Sequence, residues 1–194
     1  ANVLTKLLWR IIMSTISQEE SLLLQCLATT SLLGELSNAN FLESDYYKQL
    51  SFSNKNIKNI LTQFGLRNPA TMQMMLYALL TVPRETLSRT AYSVLETYVE
   101  RINPLVSTLI ETETMSTYNN EDSCEKIDYF RHIRNAVAHS KCNYFSDRGK
   151  NFVIFSDSNN NGSKVCSIKM ECYKVGIILM ELQRLIMEYY NQNH

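Results

Sequence analysis

The residues best suited to chemistry lie in one short segment, Arg134-Asn135-Ala136-Val137-Ala138-His139, with Arg131 and His132 just before it. A histidine can transfer protons near neutral pH. An arginine can hold a phosphate and stabilise the charge that develops on it. Because an asparagine can orient either group, these side chains together suit attack on a phosphodiester without a metal.

A helix through this segment separates apolar from polar side chains, since successive residues turn by about 100°. The apolar arc contains Tyr129, Phe130, Ile133, Ala136 and Val137. The polar arc contains Asp128, Arg131, His132, Arg134, Asn135 and His139. We therefore expect a helix over about residues 124–140 that buries the first arc and presents the second. An ordinary solvated helix face would have the same composition, and that alternative stays open.

The rest of the chain is rich in helix-forming residues and has only 5 Gly and 3 Pro. A capping box at residues 17–20 predicts a helix to about Leu36, and Asn68-Pro69 predicts the start of another. The remaining helices are expected at about residues 56–64, 83–102, 105–112 and 171–190. Two strands, residues 151–156 and 164–170, are expected around the turn sequence Asn159-Asn-Asn-Gly162. Residues 37–54 are interpreted as a loop that contains a short turn.

Charge and cysteine content limit the class of function. The net charge is zero, so any contact with nucleic acid is expected to be local rather than spread over a basic surface. The five cysteines include no CxxC pair, which favours reduced thiols over disulfides or a zinc site. The run Asp157-Ser-Asn-Asn-Asn-Gly162 imitates a calcium loop, but Ile168 stands where a glutamate is needed. We expect neither a metal nor a cofactor.

The apolar stretch from Val3 to Met13 is interrupted by Lys6 and Arg10. It is too short to span a bilayer, and no small-residue cleavage site follows it. The sequence therefore favours a first amphipathic helix, no membrane contact and a cytoplasmic location.

The segment from Arg134 to His139 resembles the R-x(4–6)-H motif of the HEPN superfamily (higher eukaryotes and prokaryotes nucleotide-binding), in which a polar residue often follows the arginine. Its surroundings are also similar, since the motif lies late on an amphipathic helix and a hairpin and a last helix follow. The resemblance covers roughly residues 85–190. It implies an all-α helical bundle with one small β-hairpin before the last helix. We expect a single domain over residues 1–194, with an N-terminal helical extension over about residues 1–80.

The resemblance also implies an activity, because many HEPN proteins are metal-independent endoribonucleases that work as homodimers. His139 would be the general acid/base, Arg134 the phosphate clamp, and Asn135 would orient His139 or the phosphate. Arg131 and His132 would be auxiliary residues. The expected partners are RNA, a second copy of the chain and an antitoxin or regulatory protein, in a toxin or antiviral setting. Two alternatives stay open: a non-catalytic dimer that binds RNA, a nucleotide or a protein, and a structural helical adaptor.

Overall fold

The first described helix confirms the predicted capping box. The computed structural model describes residues 16–116, 127–159, 162 and 165–193, so the helix expected at Val3 to Met13 lies outside the described residues. Helix α1 (Gln18–Asn38) begins after Ser17, whose hydroxyl accepts from the Glu20 backbone N–H at 3.1 Å, while the Glu20 carboxylate accepts from the Ser17 N–H at 3.1 Å. These two bonds satisfy donors that a helix start otherwise leaves unpaired.

The next elements are short helices and helical turns, of which the turns at Phe41–Glu43 and Tyr77–Thr81 and the helix Val82–Thr86 contact α1. A 3₁₀ turn at Phe41–Glu43 and helix α2 (Asp45–Gln49) lie where the sequence suggested a loop. Helix α3 (Lys55–Phe64) ends at Gly65, and α4 (Pro69–Leu76) begins after the Asn68 cap, both as predicted. A π-helical turn, Tyr77–Thr81, continues α4 into α5 (Val82–Thr86).

The single long helix expected over residues 83–102 is wrong. Leu87 is extended, and Ser88 starts a new helix by accepting from the Ala91 N–H at 3.3 Å. Helix α6 (Arg89–Val99) follows, and a 3₁₀ turn, Glu100–Ile102, leads into α7 (Asn103–Leu109). A serine in mid-helix offers the backbone this alternative cap, which periodicity alone does not reveal.

The described chain is mostly helical, as predicted, but the predicted hairpin is part of a larger four-stranded antiparallel sheet with the order β1-β4-β3-β2. The strands are β1 (Thr112–Ser116), β2 (Cys142–Asp147), β3 (Lys150–Ser158) and β4 (Val165–Glu171). The predicted pair, β3 and β4, is present. Strand β1 is mostly polar in sequence and β2 is of mixed polarity, and both form because the edges of that pair bind their backbones.

Two local features explain the added strands. Arg148 and Gly149 both have positive φ, 47° and 78°, as a tight two-residue hairpin turn between β2 and β3 requires. The helix expected to reach Thr112 stops at Leu109, and the Glu111 N–H donates to the Lys169 carbonyl at 2.9 Å. The backbone there pairs with β4 instead of continuing a helix.

Helix α8 (Tyr129–Ala138) lies against β3 and the π-helical turn, at the centre of the molecule. Ile133 and Val137 are buried and Tyr129 is partly buried, which confirms the predicted apolar arc. One apolar cluster joins α8 with residues of α1, of the sheet and of the last helix, α9 (Cys172–Asn193). The segment from Arg134 to His139 therefore lies between the helices and the sheet.

Candidate functional site

Helix α8, which carries the motif and is called the motif helix below, begins at a cap that joins it to α7. Asp128 accepts from the Arg131 backbone N–H at 3.0 Å, and the Asn103 side chain accepts from the Phe130 N–H at 2.7 Å. The Asn103 amide also donates to Asp128 at 3.4 Å. The helix therefore starts at Tyr129 rather than near residue 124, and residues 124–126 lie outside the described part.

The motif helix ends at His139, whose side chain is exposed. The Ser140 N–H donates to the Val137 carbonyl at 3.2 Å, and the Lys141 N–H donates to the Ala136 carbonyl at 2.8 Å. This pair of bonds is a Schellman cap, in which the residue after the cap takes the left-handed conformation. Ser140 occupies that position with φ 53°. His139 therefore stands at a helix terminus with a defined backbone.

Arg134 does not lie on an exposed face as predicted, because its side chain reaches α6 and is only 5% exposed. Its Nη1 donates to the Tyr92 hydroxyl at 2.6 Å and to the Glu96 carboxylate at 2.7 Å. The guanidinium also lies over the Phe130 ring, 5.5 Å from its centroid. Within the described residues its Nε is buried and donates to no acceptor. The acceptors on α6 therefore allow this arginine to be buried.

Acidic groups surround Arg134. The Tyr92 hydroxyl lies 3.3 Å from the Glu96 carboxylate, and burial raises the pKa of the Tyr92 phenol, so this hydroxyl stays protonated at neutral pH. Burial first, and then the charges of Asp128 and Glu96, raise the pKa of Glu100. The positive charge of Arg134 is therefore balanced from α6 rather than exposed to bulk solvent.

His132 is buried as well, at 1% exposure, which contradicts its expected place on the polar face. Its Nδ1 lies 2.9 Å from the carboxylate of Asp157 on β3. The same oxygen accepts from the Asn135 side-chain amide at 3.1 Å. Strand β3 provides a buried acceptor on the side of the helix that was predicted to face solvent. His132 and Asn135 therefore both point toward the sheet.

The predicted site residues thus contact two different neighbouring elements, β3 and α6. His132 and Asn135 meet at Asp157, whereas Arg134 is bound to α6. Arg131 is partly exposed, with its Nε 4.0 Å from the carboxylate of Asp128. Side chains five residues apart leave a helix about 140° apart, so Arg134 and His139 of one chain point in different directions.

Three residues of this site were missed by sequence reasoning: Asp157, Tyr92 and Glu96. Asp157 drew attention only as part of the false calcium loop. Tyr92 and Glu96 are four residues apart and so share a face of α6, but nothing in their spacing points to Arg134. Their roles depend on contacts between residues far apart in the chain.

The described residues contain no group of three or more His, Cys, Asp or Glu side chains placed to hold a metal ion. No helix among them is long and apolar enough to cross a membrane.

A family model described as HEPN pEK499 p136 matches residues 13–193. The matched region therefore includes the N-terminal helices, which the motif resemblance had not covered. No curated protein and no solved structure matches the chain.

Proposed function

Because the chain belongs to the family described as HEPN pEK499 p136, we propose that it is a metal-independent endoribonuclease. The 2′-hydroxyl of RNA attacks the adjacent phosphorus and the bond to the 5′-oxygen breaks. The products are a 2′,3′-cyclic phosphate and a 5′-hydroxyl. His139 moves the proton from the 2′-hydroxyl or to the leaving 5′-oxygen, and Arg134 binds the phosphate.

The buried Nε of Arg134 is the observation that carries this proposal. Both described hydrogen bonds of its guanidinium use Nη1 and hold it against α6. The Nε donates to nothing within the described residues, and a buried donor without an acceptor is costly. The edge formed by Nε and Nη2 is the fork that binds two oxygens of a phosphate. In the proposed complex with RNA this edge opens to a phosphate oxygen that satisfies the Nε, while Tyr92 and Glu96 keep the guanidinium in place.

The exposure of His139 supports its assigned role. It ends α8 with its imidazole accessible, whereas His132 is 1% exposed and bound to Asp157. A group that exchanges protons with a bound polymer has to reach it. We therefore assign proton transfer to His139 and a structural role to His132.

A two-fold homodimer completes the proposed site. Within one chain Arg134 and His139 diverge, so one protomer offers the two groups on different sides. A symmetric contact brings a motif close to its own copy, and Arg134 of one chain then meets His139 of its partner. Such an enzyme fits a toxin or antiviral effector acting on cytoplasmic RNA, controlled by an antitoxin or regulatory protein.

The test is cleavage of a labelled single-stranded RNA in EDTA, with the product ends analysed. We expect wild type to leave a 2′,3′-cyclic phosphate and to spare DNA of the same sequence, which lacks the 2′-hydroxyl. His139→Ala should lower the rate by about 10²–10⁴-fold, as loss of an acid–base group does. Asn143→Ala, an exposed substitution on β2, is the matched control and should cut at the wild-type rate.

A second candidate is a HEPN-like dimer that binds RNA, a nucleotide or a protein without cutting. The ion pair between Arg134 and Glu96 favours it, because that pair already neutralises the phosphate-binding group. The same experiment separates the two. If wild type binds RNA without cutting it, and Arg134→Ala no longer binds it, the non-catalytic binding function is supported and the ribonuclease function is refuted.

A further inference from the structure

Three consecutive residues of β3 hold the chain on both sides of His139. The Ser156 N–H donates to the Lys141 carbonyl at 3.0 Å, and the Lys141 ammonium donates to the Ser158 hydroxyl at 2.7 Å. Between them, Asp157 binds the helix just before His139. The strand therefore holds two side chains before the exposed histidine and the chain just after it.

Asp157 breaks the pattern of its strand. Val153 and Phe155 are the buried inward-facing residues before it, and an apolar side chain would continue that series. Instead, a carboxylate lies there at 4% exposure. A buried carboxylate is tolerated only when donors surround it, and such departures from patterning are expected at functional sites. Its two donors both come from the motif helix.

The carboxylate sets the orientation of Asn135. Its oxygens accept hydrogen bonds, so the Asn135 amide has to turn its Nδ2 toward Asp157. The amide oxygen of Asn135, Oδ1, then lies on the other side of the amide group. Residue 139 is four positions further along, and side chains at this spacing are neighbours on a helix. An acceptor there suits a ring N–H of His139, whereas a phosphate oxygen would need a donor.

We propose that Asp157 is a positioning residue of the ribonuclease site, which holds Asn135 so that its Oδ1 accepts from the imidazole of His139 when RNA is bound. This inference rests on the proposed function and names the residue that prepares it. The His139 side chain is exposed in the free chain and turns onto Asn135 as the substrate arrives. Asp157 orients Asn135, and Asn135 in turn orients His139.

The test is steady-state cleavage by Asp157→Leu, which removes the acceptor but fills a similar volume. We expect kcat to fall by about 10–100-fold, the cost of losing a residue that orients a catalytic group, with little change in KM. Asp157→Asn keeps an oxygen in place and should stay within about three-fold of wild type. Asp147→Leu, at the exposed end of β2, is the matched control and should leave kcat unchanged.

A double-mutant cycle separates positioning from stability. If Asp157 acts through Asn135, then adding Asp157→Leu to Asn135→Ala should lower kcat little further. The melting temperature should still fall when Asp157→Leu is added, because His132 loses its acceptor whether residue 135 is asparagine or alanine. Additive losses in kcat would overturn the proposal. If the leucine variant does not fold, Asp157→Ser provides the same test, since its short side chain cannot reach Asn135 and leaves space for water.

A readout that needs no cleavage keeps the two proposals distinguishable. In ¹⁵N NMR of the wild type we expect the Asn135 side-chain amide to show slowed hydrogen exchange, which Asp157→Leu abolishes. Wild type that shows this signature but cuts no RNA overturns the proposed function, and the role in catalysis falls with it. Wild type that cuts, with Asp157→Leu cutting at the same kcat, overturns only the role of Asp157.

Discussion

The guanidinium of Arg134 donates to the carboxylate of Glu96 at 2.7 Å, across the contact between α8 and α6. The two residues are 38 positions apart. Arg134 is nearly inaccessible, whereas the Glu96 side chain is 32% exposed. The bond therefore anchors a buried charge to one that solvent still reaches.

Glu96→Gln should destabilise the fold by about 1–3 kcal/mol, because it leaves the buried charge of Arg134 with a neutral partner. Urea unfolding followed by circular dichroism measures this as a lower midpoint at unchanged slope. Glu188→Gln removes the negative charge that pairs with the more exposed Arg101 and Arg184, each at 3.0 Å, and should cost less than about 1 kcal/mol. Equal losses for the two variants would show that the burial of Arg134 has no energetic weight.

Arg134→Lys should retain only part of the RNA cleavage. A lysine keeps the charge near Glu96 but cannot offer the planar fork to two phosphate oxygens. We expect a rate at least about tenfold below wild type yet above that of Arg134→Ala, for which loss of a transition-state donor costs about 10²–10³-fold. The measurement is the single-turnover rate in EDTA. Arg101→Lys is the control and should cleave at the wild-type rate. If Arg134→Lys also cleaves at the wild-type rate, two-point binding of the phosphate by Arg134 is ruled out.

Ser140→Gly should stabilise the protein by about 0.5–1 kcal/mol, because Ser140 holds φ 53° at the position after His139 where helices prefer glycine. For a chain of this size the melting temperature should rise by about 1–4 °C. Asn40→Gly, at φ 49°, should gain less because asparagine tolerates this conformation better. A melting temperature that is unchanged or lower in Ser140→Gly would contradict the prediction.

Glu100→Gln should stabilise the protein at pH 7 but not at acidic pH. Burial and the charges of Asp128 and Glu96 raise the pKa of Glu100 in the fold, so its ionised form is less favourable there than in the unfolded chain. That penalty is present above the raised pKa and disappears as pH falls below the ordinary value of 4.5, where both states are protonated. Glu100 is largely exposed, so the gain should be under about 1 kcal/mol.

Urea unfolding of Glu100→Gln at pH 7 and at about pH 4 tests this dependence. Glu43→Gln, an exposed substitution away from the motif helix, controls for the change of residue type. A Glu100→Gln variant that is less stable than wild type at pH 7 would refute the repulsion among these carboxylates.

Two thiols should react slowly in the folded protein. Burial raises the pKa of Cys142 to about 11 and that of Cys166 to about 12. At pH 8 the thiolate fraction of Cys142 is then about a hundred-fold below that of a thiol with the ordinary value of 9.0. Iodoacetamide labelling read by mass spectrometry should modify both residues much faster in urea than in buffer. Equal rates in the two conditions would refute the burial effect.

Local patterns predicted much of the chain. The capping box at Ser17, the cap at Asn68, the end of a helix at Gly65 and the β3–β4 pair all depend on residues close in sequence. The break at Ser88 and strands β1 and β2 escaped prediction. Ser88 caps a new helix through a local hydrogen bond that periodicity does not reveal, whereas β1 and β2 form because neighbouring strands of the sheet bind their backbones.

The sequence by itself determined the motif, its place at the end of an amphipathic helix and the arc that this helix buries, because these follow from helical periodicity. Only the tertiary structure decided which polar side chains are accessible. Arg134 and His132 are buried because α6 and β3 bring Glu96 and Asp157 to them from 38 and 25 residues away. A helical wheel separates polar from apolar faces, but it does not show whether solvent or another element meets the polar one.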